Sequence, residues 1–316
     1  MAQFTIYRST DSSAPTVSGT AGDLVNLLDK CLVAGYGSKT AAGWSKDFTG
    51  TNKATFRAPS GNRMYLRVQD DGPGAGGARE ARLTGYESMT DVDTGMAPFP
   101  TAAQGVGGVA MVVARKSSTA DATTRAWIVF ADARTVYVFI TTGDTGYRSF
   151  CFGEFFSLLT TTDNFRTMII GRNAENSAAA GSDNLDLMSA GFSITNGHFM
   201  ARGHTGLGGS INFGTHGDHA KNGNSTLTQG IVALLNPADG GAFMSPIWIH
   251  DITTTPVNGI RGRLRGMWHF VHTFSLVGDQ ETFNGNFELA GKSFFAMRSP
   301  NAALYVMETS DTLEIN

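Results

Sequence analysis

The chain has 316 residues, 41% hydrophobic and 16% charged, with 39 glycines. That composition excludes a disordered chain and allows one large β-rich domain or two of ordinary size. A net charge of −3 and a pI near 6.2 argue against a nucleic-acid grip, which needs a clustered positive surface.

Residues 4–8 alternate like a short strand, and Ser9 to Ser18 reads as polar linker. Leu24, Leu27, Leu28, Cys31 and Leu32 then repeat at helical spacing, predicting an amphipathic helix over 21–34 that covers a sheet. Thr20 is the expected N-cap, and Gly35 and Gly37 the stop. Two strands are expected between Gly43 and Ala58. Residues 63–69 and 79–86 alternate with period two around a glycine loop, predicting an antiparallel hairpin that buries Leu66, Val68 and Leu83. Asp91 to Gly95 and Pro98-Phe99-Pro100 read as a structured loop.

Gly108 to Ala114 reads as an apolar strand. Trp127 to Phe130 and Val136 to Ile140 form a second hairpin around Asp132-Ala133-Arg134, apolar on both faces, so each face needs a cover. Phe150 to Phe156 and Thr167 to Ile170 continue the pattern. The polar stretch 173–184 is the expected boundary between an N-terminal β-rich domain, 1–175, and a C-terminal one, 176–316. Strands follow at 198–203, 210–213, 231–235, 243–250, 262–274, 287–297 and 304–308. The fold class is all-β dominated, in sandwich or barrel-like sheets, with one N-terminal helix packed on a sheet. No apolar run reaches signal-peptide or membrane-spanning length, so a soluble chain made in a cytoplasm, with no membrane partner, is expected.

No residue pattern here specifies a reaction, and no catalytic, cofactor or metal residue is assigned. His204, His216 and His219 form the tightest histidine group, in a glycine- and asparagine-rich loop without a zinc-site frame. Asp91 and Asp93 resemble the opening of a calcium loop that lacks its downstream glutamate, and turn capping is the simpler role. His269 and His272, three apart in a strand, point to opposite faces. Glu154, among phenylalanines, reads as a paired buried acid, and Cys31 and Cys151 as buried thiols. Arg261, Arg263 and Arg265 have the spacing of one strand face and are expected to pair with carboxylates.

Several stretches together resemble a family of tailed-bacteriophage virion structural proteins. They include Tyr65-Leu66-Arg67-Val68 with Asp70-Asp71-Gly72, then Gly85-Tyr86-Glu87-Ser88-Met89-Thr90-Asp91-Val92-Asp93-Thr94-Gly95 and Pro98-Phe99-Pro100. Gly35-Tyr36-Gly37-Ser38-Lys39, Phe152-Gly153-Glu154-Phe155-Phe156-Ser157-Leu158, Arg261-Gly262-Arg263-Leu264-Arg265-Gly266 and Glu308-Thr309-Ser310-Asp311-Thr312 add to the likeness. The resemblance implies a non-enzymatic virion component, tail- or baseplate-associated, and carries no site residues. Symmetric particles imply a homo-oligomer, a trimer or ring, bound to other virion proteins. At least two of the glycine-rich loops Asp71–Ala78, Thr94–Gly108 and Gly203–Asn224 are expected at subunit contacts. The alternatives are a head-surface or collar decoration protein, a host-surface glycan-binding module and a cell-wall hydrolase. The glycan module would expose Trp44, Trp248 or Trp268, and the hydrolase would gather acids in a cleft.

Overall fold

The computed structural model describes residues 4–72, 74–144, 146–159, 162–175, 187–188, 190–191, 197–216, 244–251, 259–270, 277–286, 289–298 and 304–310. The described residues are β-dominated with one N-terminal helical segment, as the composition and alternation predict. It opens with β1 (Thr5–Arg8) and α1 (Asp23–Leu28), which continues as a π-helical stretch, Asp29–Ala34. Then come β2 (Ser45–Gly50), β3 (Lys53–Arg57), β4 (Tyr65–Gln69), β5 (Glu80–Asp91), β6 (Thr94–Phe99) and β7 (Val112–Arg115). Among the described residues these form a six-stranded antiparallel sheet in the order β2-β3-β4-β5-β6, with β7 beside β5.

The predicted hairpin is present: Leu66 faces Gly85 and Val68 faces Leu83, and all three predicted core side chains are fully buried. The stretch after it departs from the expected loop. Thr94–Phe99 is a strand, because Pro98, which has no N–H to donate, sits on an edge strand opposite Tyr86. The apolar run at 108–114 is strand only from Val112; Val106–Gly108 is a 3-10 turn.

The larger sheet holds β8 (Trp127–Ala131), β9 (Thr135–Thr141), β10 (Tyr147–Glu154), β11 (Phe156–Ser157), β12 (Thr167–Gly171), β13 (Ala190–Gly191) and β14 (Gly197–Met200). It continues through β15 (Ile211–His216), β16 (Met244–Asp251), β17 (Ile260–Phe270), β18 (Thr282–Asn284), β19 (Ser293–Arg298) and β20 (Leu304–Glu308). With β1 these make fourteen strands among the described residues. The strand expected at 231–235 lies outside the described residues. The boundary expected at 173–184 falls mostly outside the described residues; the strands on either side of it pair, Ile169 in β12 facing Phe199 in β14.

Packing yields three layers. Val129, Val138, Phe152 and Ile169 on one face of the larger sheet share a core with Phe56, Leu66, Val68 and Leu83 of the six-stranded sheet. On the opposite face, Phe130, Phe139, Cys151 and Ile170 pack with Ile249, Leu264, Phe295 and Met307 from the later strands. The larger sheet therefore folds back over itself, which explains why β8, β9 and β10 are apolar on both sides. Leu24, Leu27, Leu28, Cys31 and Leu32 enter the first core, so the helix packs against both sheets. The sheets are also joined directly: Val113 and Arg172 exchange backbone hydrogen bonds of 2.9 and 3.0 Å.

The helix start differs from the expectation at Thr20. The N-cap residue is Gly22, whose φ of 90° favours glycine. Asp70, at the end of β4, supplies the cap by accepting the Leu24 N–H at 2.8 Å. Ser18 and Thr20 instead donate their hydroxyls to Asp23, at 2.6 and 2.9 Å. Gly35, with φ 76°, follows the last helical residue, as read from the sequence.

Candidate functional site

The residues weighed for chemistry are mostly engaged in structure. Asp91 accepts the Val92 N–H at 2.6 Å in the β5–β6 turn, and Asp93 receives Arg67 and, at 3.4 Å, the Lys53 ammonium. The hydrogen bond from Arg67 holds the Asp93 carboxyl below its usual range. These are turn and ion-pair roles. His204 Nδ1 lies 3.0 Å from Asp251 Oδ2. His219, His272 and the side chain of His216 lie outside the described residues, among which no three metal-ligating side chains converge. His269 is buried, with Nδ1 3.1 Å from the Phe270 carbonyl.

Glu154 is a paired buried acid, as expected. It takes the Arg166 Nε–H at 2.8 Å on one oxygen and the Asn62 N–H on the other. Cys31 and Cys151 are buried free thiols, and burial pushes both well above the ordinary thiol range. Arg261 and Arg265 pair with buried carboxylates. Arg261 grips Asp163 with bonds of 3.1 and 2.8 Å, and Arg265 meets Asp132 at 2.6 Å. The expected single row is broken, because β17 slips register against β16 on either side of Arg263. Arg263 lies over Phe156, 4.9 Å from the ring centroid, and feels the charge of Glu308. Of the tryptophans considered for an exposed face, Trp44 is buried and donates to the Asp132 carbonyl at 2.7 Å, while Trp248 and Trp268 are half-buried.

What the fold does assemble is a surface of two expected contact loops. The segment between β6 and β7 meets the segment between β14 and β15 through Gln104, whose Nε2 donates to the Ser210 carbonyl at 2.9 Å. The same amide's oxygen accepts the Thr101 N–H at 2.9 Å and hydroxyl at 3.0 Å, which fixes its direction. Beneath the second loop, Arg202 forms a bidentate pair with Glu87 at 2.6 and 2.7 Å and lies 4.4 Å over the Phe165 ring. Arg202 also donates to the Gly206 carbonyl at 3.1 Å, and Arg261 donates to the Arg202 carbonyl at 2.6 Å. The loop therefore stands on two arginine–carboxylate pairs that link it to the six-stranded sheet and to the segment before β12.

This supported platform presents apolar groups to solvent: Leu207 is 78% exposed and Val109 40%. Ala102, Ala103, Gly107, Gly108, Gly208 and Gly209 are exposed around them. A rigid, apolar, nearly uncharged surface suits contact with another protein. The described residues of the third expected loop, Asp71–Ala78, include the exposed Asp71 and Ala75, and Glu175 tethers the loop by accepting from the Ala75 N–H at 3.4 Å while pairing with Arg82 at 2.8 Å. Sequence reading found the loops from their glycines. It missed Gln104, Arg202 and Glu87, whose roles depend on partners about a hundred residues away. No protein-family model and no curated protein matches the chain.

Proposed function

We propose that the chain is a structural subunit of a tailed-phage particle, tail- or baseplate-associated, that assembles with copies of itself and with other particle proteins. The resemblance in the sequence supports the particle assignment, and the joined loop surface supports the assembly role. One observation carries most weight. A Cβ added at Gly209 would meet nothing within 4 Å among the described residues, and its backbone lies outside the left-handed region. The position is therefore open among the described residues, and a side chain placed there would meet a neighbouring subunit without disturbing the described fold.

Sedimentation equilibrium of the native chain and of Gly209→Arg tests this. The native protein is expected to form a trimer or ring. The variant is expected to run as monomer, with stability within about 0.5 kcal/mol of native, as for a surface substitution. A native protein that stays monomeric and is missing from purified particles by mass spectrometry would overturn the proposal.

A further inference from the structure

The six-stranded sheet turns one face away from the core, and that face carries an aromatic row. Arg57 faces Tyr65 across β3 and β4, Tyr65 faces Tyr86 across β4 and β5, and Tyr86 faces Pro98 across β5 and β6. Three strand spacings make the row roughly 14 Å long. Phe48 flanks it, with its ring centroid 6.2 Å from that of Tyr65, and Met96, 72% exposed, continues it on β6. The Tyr86 ring lies close against β6 at Gly95, where a Cβ would fall 2.4 Å from its Cδ1. Glycine at 95 therefore lets a half-exposed aromatic ring rest against the sheet.

Charge on this face is uneven. Lys53 and Arg67 are neutralised by Asp71 and Asp93, and Arg82 by Glu175. Arg57 and Arg63 have no ion-pair partner among the described residues. Arg57 donates its Nε–H to the Arg63 carbonyl at 2.9 Å and holds its guanidinium 4.8 Å over the Tyr65 ring. Arg63 is exposed. Asp47, at the Tyr65 hydroxyl, is the neighbouring carboxylate. Two guanidinium groups beside flat aromatic surface match a ligand that offers both a ring to stack and a carboxylate to grip.

We propose that this face binds an acidic polysaccharide, with sugar rings on Tyr86 and Phe48 and a uronate carboxylate on Arg57 and Arg63. Stacking alone would accept a neutral sugar, and the unneutralised arginines select the anion. The ligand-binding side chains Phe48, Arg57, Arg63 and Tyr86 lie outside the loops assigned to assembly, so the two readings stand or fall separately.

Calorimetric titration with oligogalacturonates tests it, with carboxyl-reduced oligomers of the same length as comparison. Saturable binding to the acidic oligomers is expected, weakening as salt rises. Tyr86→Ala and the double variant Arg57→Gln/Arg63→Gln are each expected to weaken it about tenfold, corresponding to about 1.4 kcal/mol. Near-UV circular dichroism checks that both variants keep the native fold, and Tyr86→Phe is expected to retain binding. Equal binding of the reduced oligomers, or native affinity in the double variant, would overturn the proposal. So would a fall in sedimenting mass in either variant, which would mean that the face covers a second copy of the chain.

Discussion

Asp70 shows how much one side chain organises and how little of that is visible locally. In the sequence it is the first acid of a glycine loop. In the structure it caps a helix 46 positions away while its other oxygen meets Lys116 at 2.5 Å, with neither side chain exposed. Removing one partner of such a pair strands the other in low dielectric. Lys116→Met is therefore expected to cost about 3 kcal/mol at neutral pH by urea denaturation, and less near pH 5 as Asp70 takes up a proton. Burial pushes the Asp70 carboxyl up to about 6, against the opposing pull of Lys116 and the Leu24 N–H. Because the folded value lies above the ordinary 3.8, the folded state holds this proton more tightly. The resulting stability is fully present below about pH 3.8 and is lost as pH rises through about 6. The stability of the native chain relative to Asp70→Asn should fall by up to about 3 kcal/mol between about pH 4 and pH 7. A flat difference over that window would show that Asp70 keeps an ordinary value. Glu154 was legible in the sequence because its phenylalanine neighbours announce burial, and a buried acid needs a partner.

At the scale of elements, period-two alternation located the β4–β5 hairpin and its buried residues, because one face of that sheet is core and the other is not. Leu83 lies fully buried in the core shared by both sheets. Leu83→Ala is expected to cost about 2–5 kcal/mol, with the midpoint of urea unfolding as the readout. A loss under about 1 kcal/mol would mean that the two sheets do not close on one another here. The β6 strand escaped detection because its prolines and glycine carry the signals of a loop, and only its position at a sheet edge reconciles them with pairing. Bulges hid the arginine pattern in a different way. In β17 spacing implies one face, but the register slips, and Gly266 at φ 63° turns the chain between Arg265 and Met267. Nothing local marks which residue of a strand will bulge.

For the whole molecule, sequence showed that the hairpin from Trp127 to Ile140 needs cover on both faces, but not what covers it. One cover is the six-stranded sheet with the helix, close in sequence. The other is the set of strands after residue 197, joined through β12 and β14. This bears on whether 173–184 separates two independently folding units. A fragment ending at residue 175 would uncover Ile128, Phe130, Tyr137, Phe139, Cys151, Met168 and Ile170, all now buried against the later strands. Burying a large apolar side chain is worth about 1.5–3 kcal/mol, so this face represents on the order of 10 kcal/mol. Domains of ordinary stability hold only about 5–15 kcal/mol in total. The fragment 1–175 is therefore expected to lack cooperative thermal unfolding, to aggregate on size-exclusion chromatography and to bind a hydrophobic dye, while the full chain does none of these. A soluble fragment with a sharp unfolding transition would restore the boundary and make the six-stranded sheet, the helix and the middle layer sufficient as a folding unit.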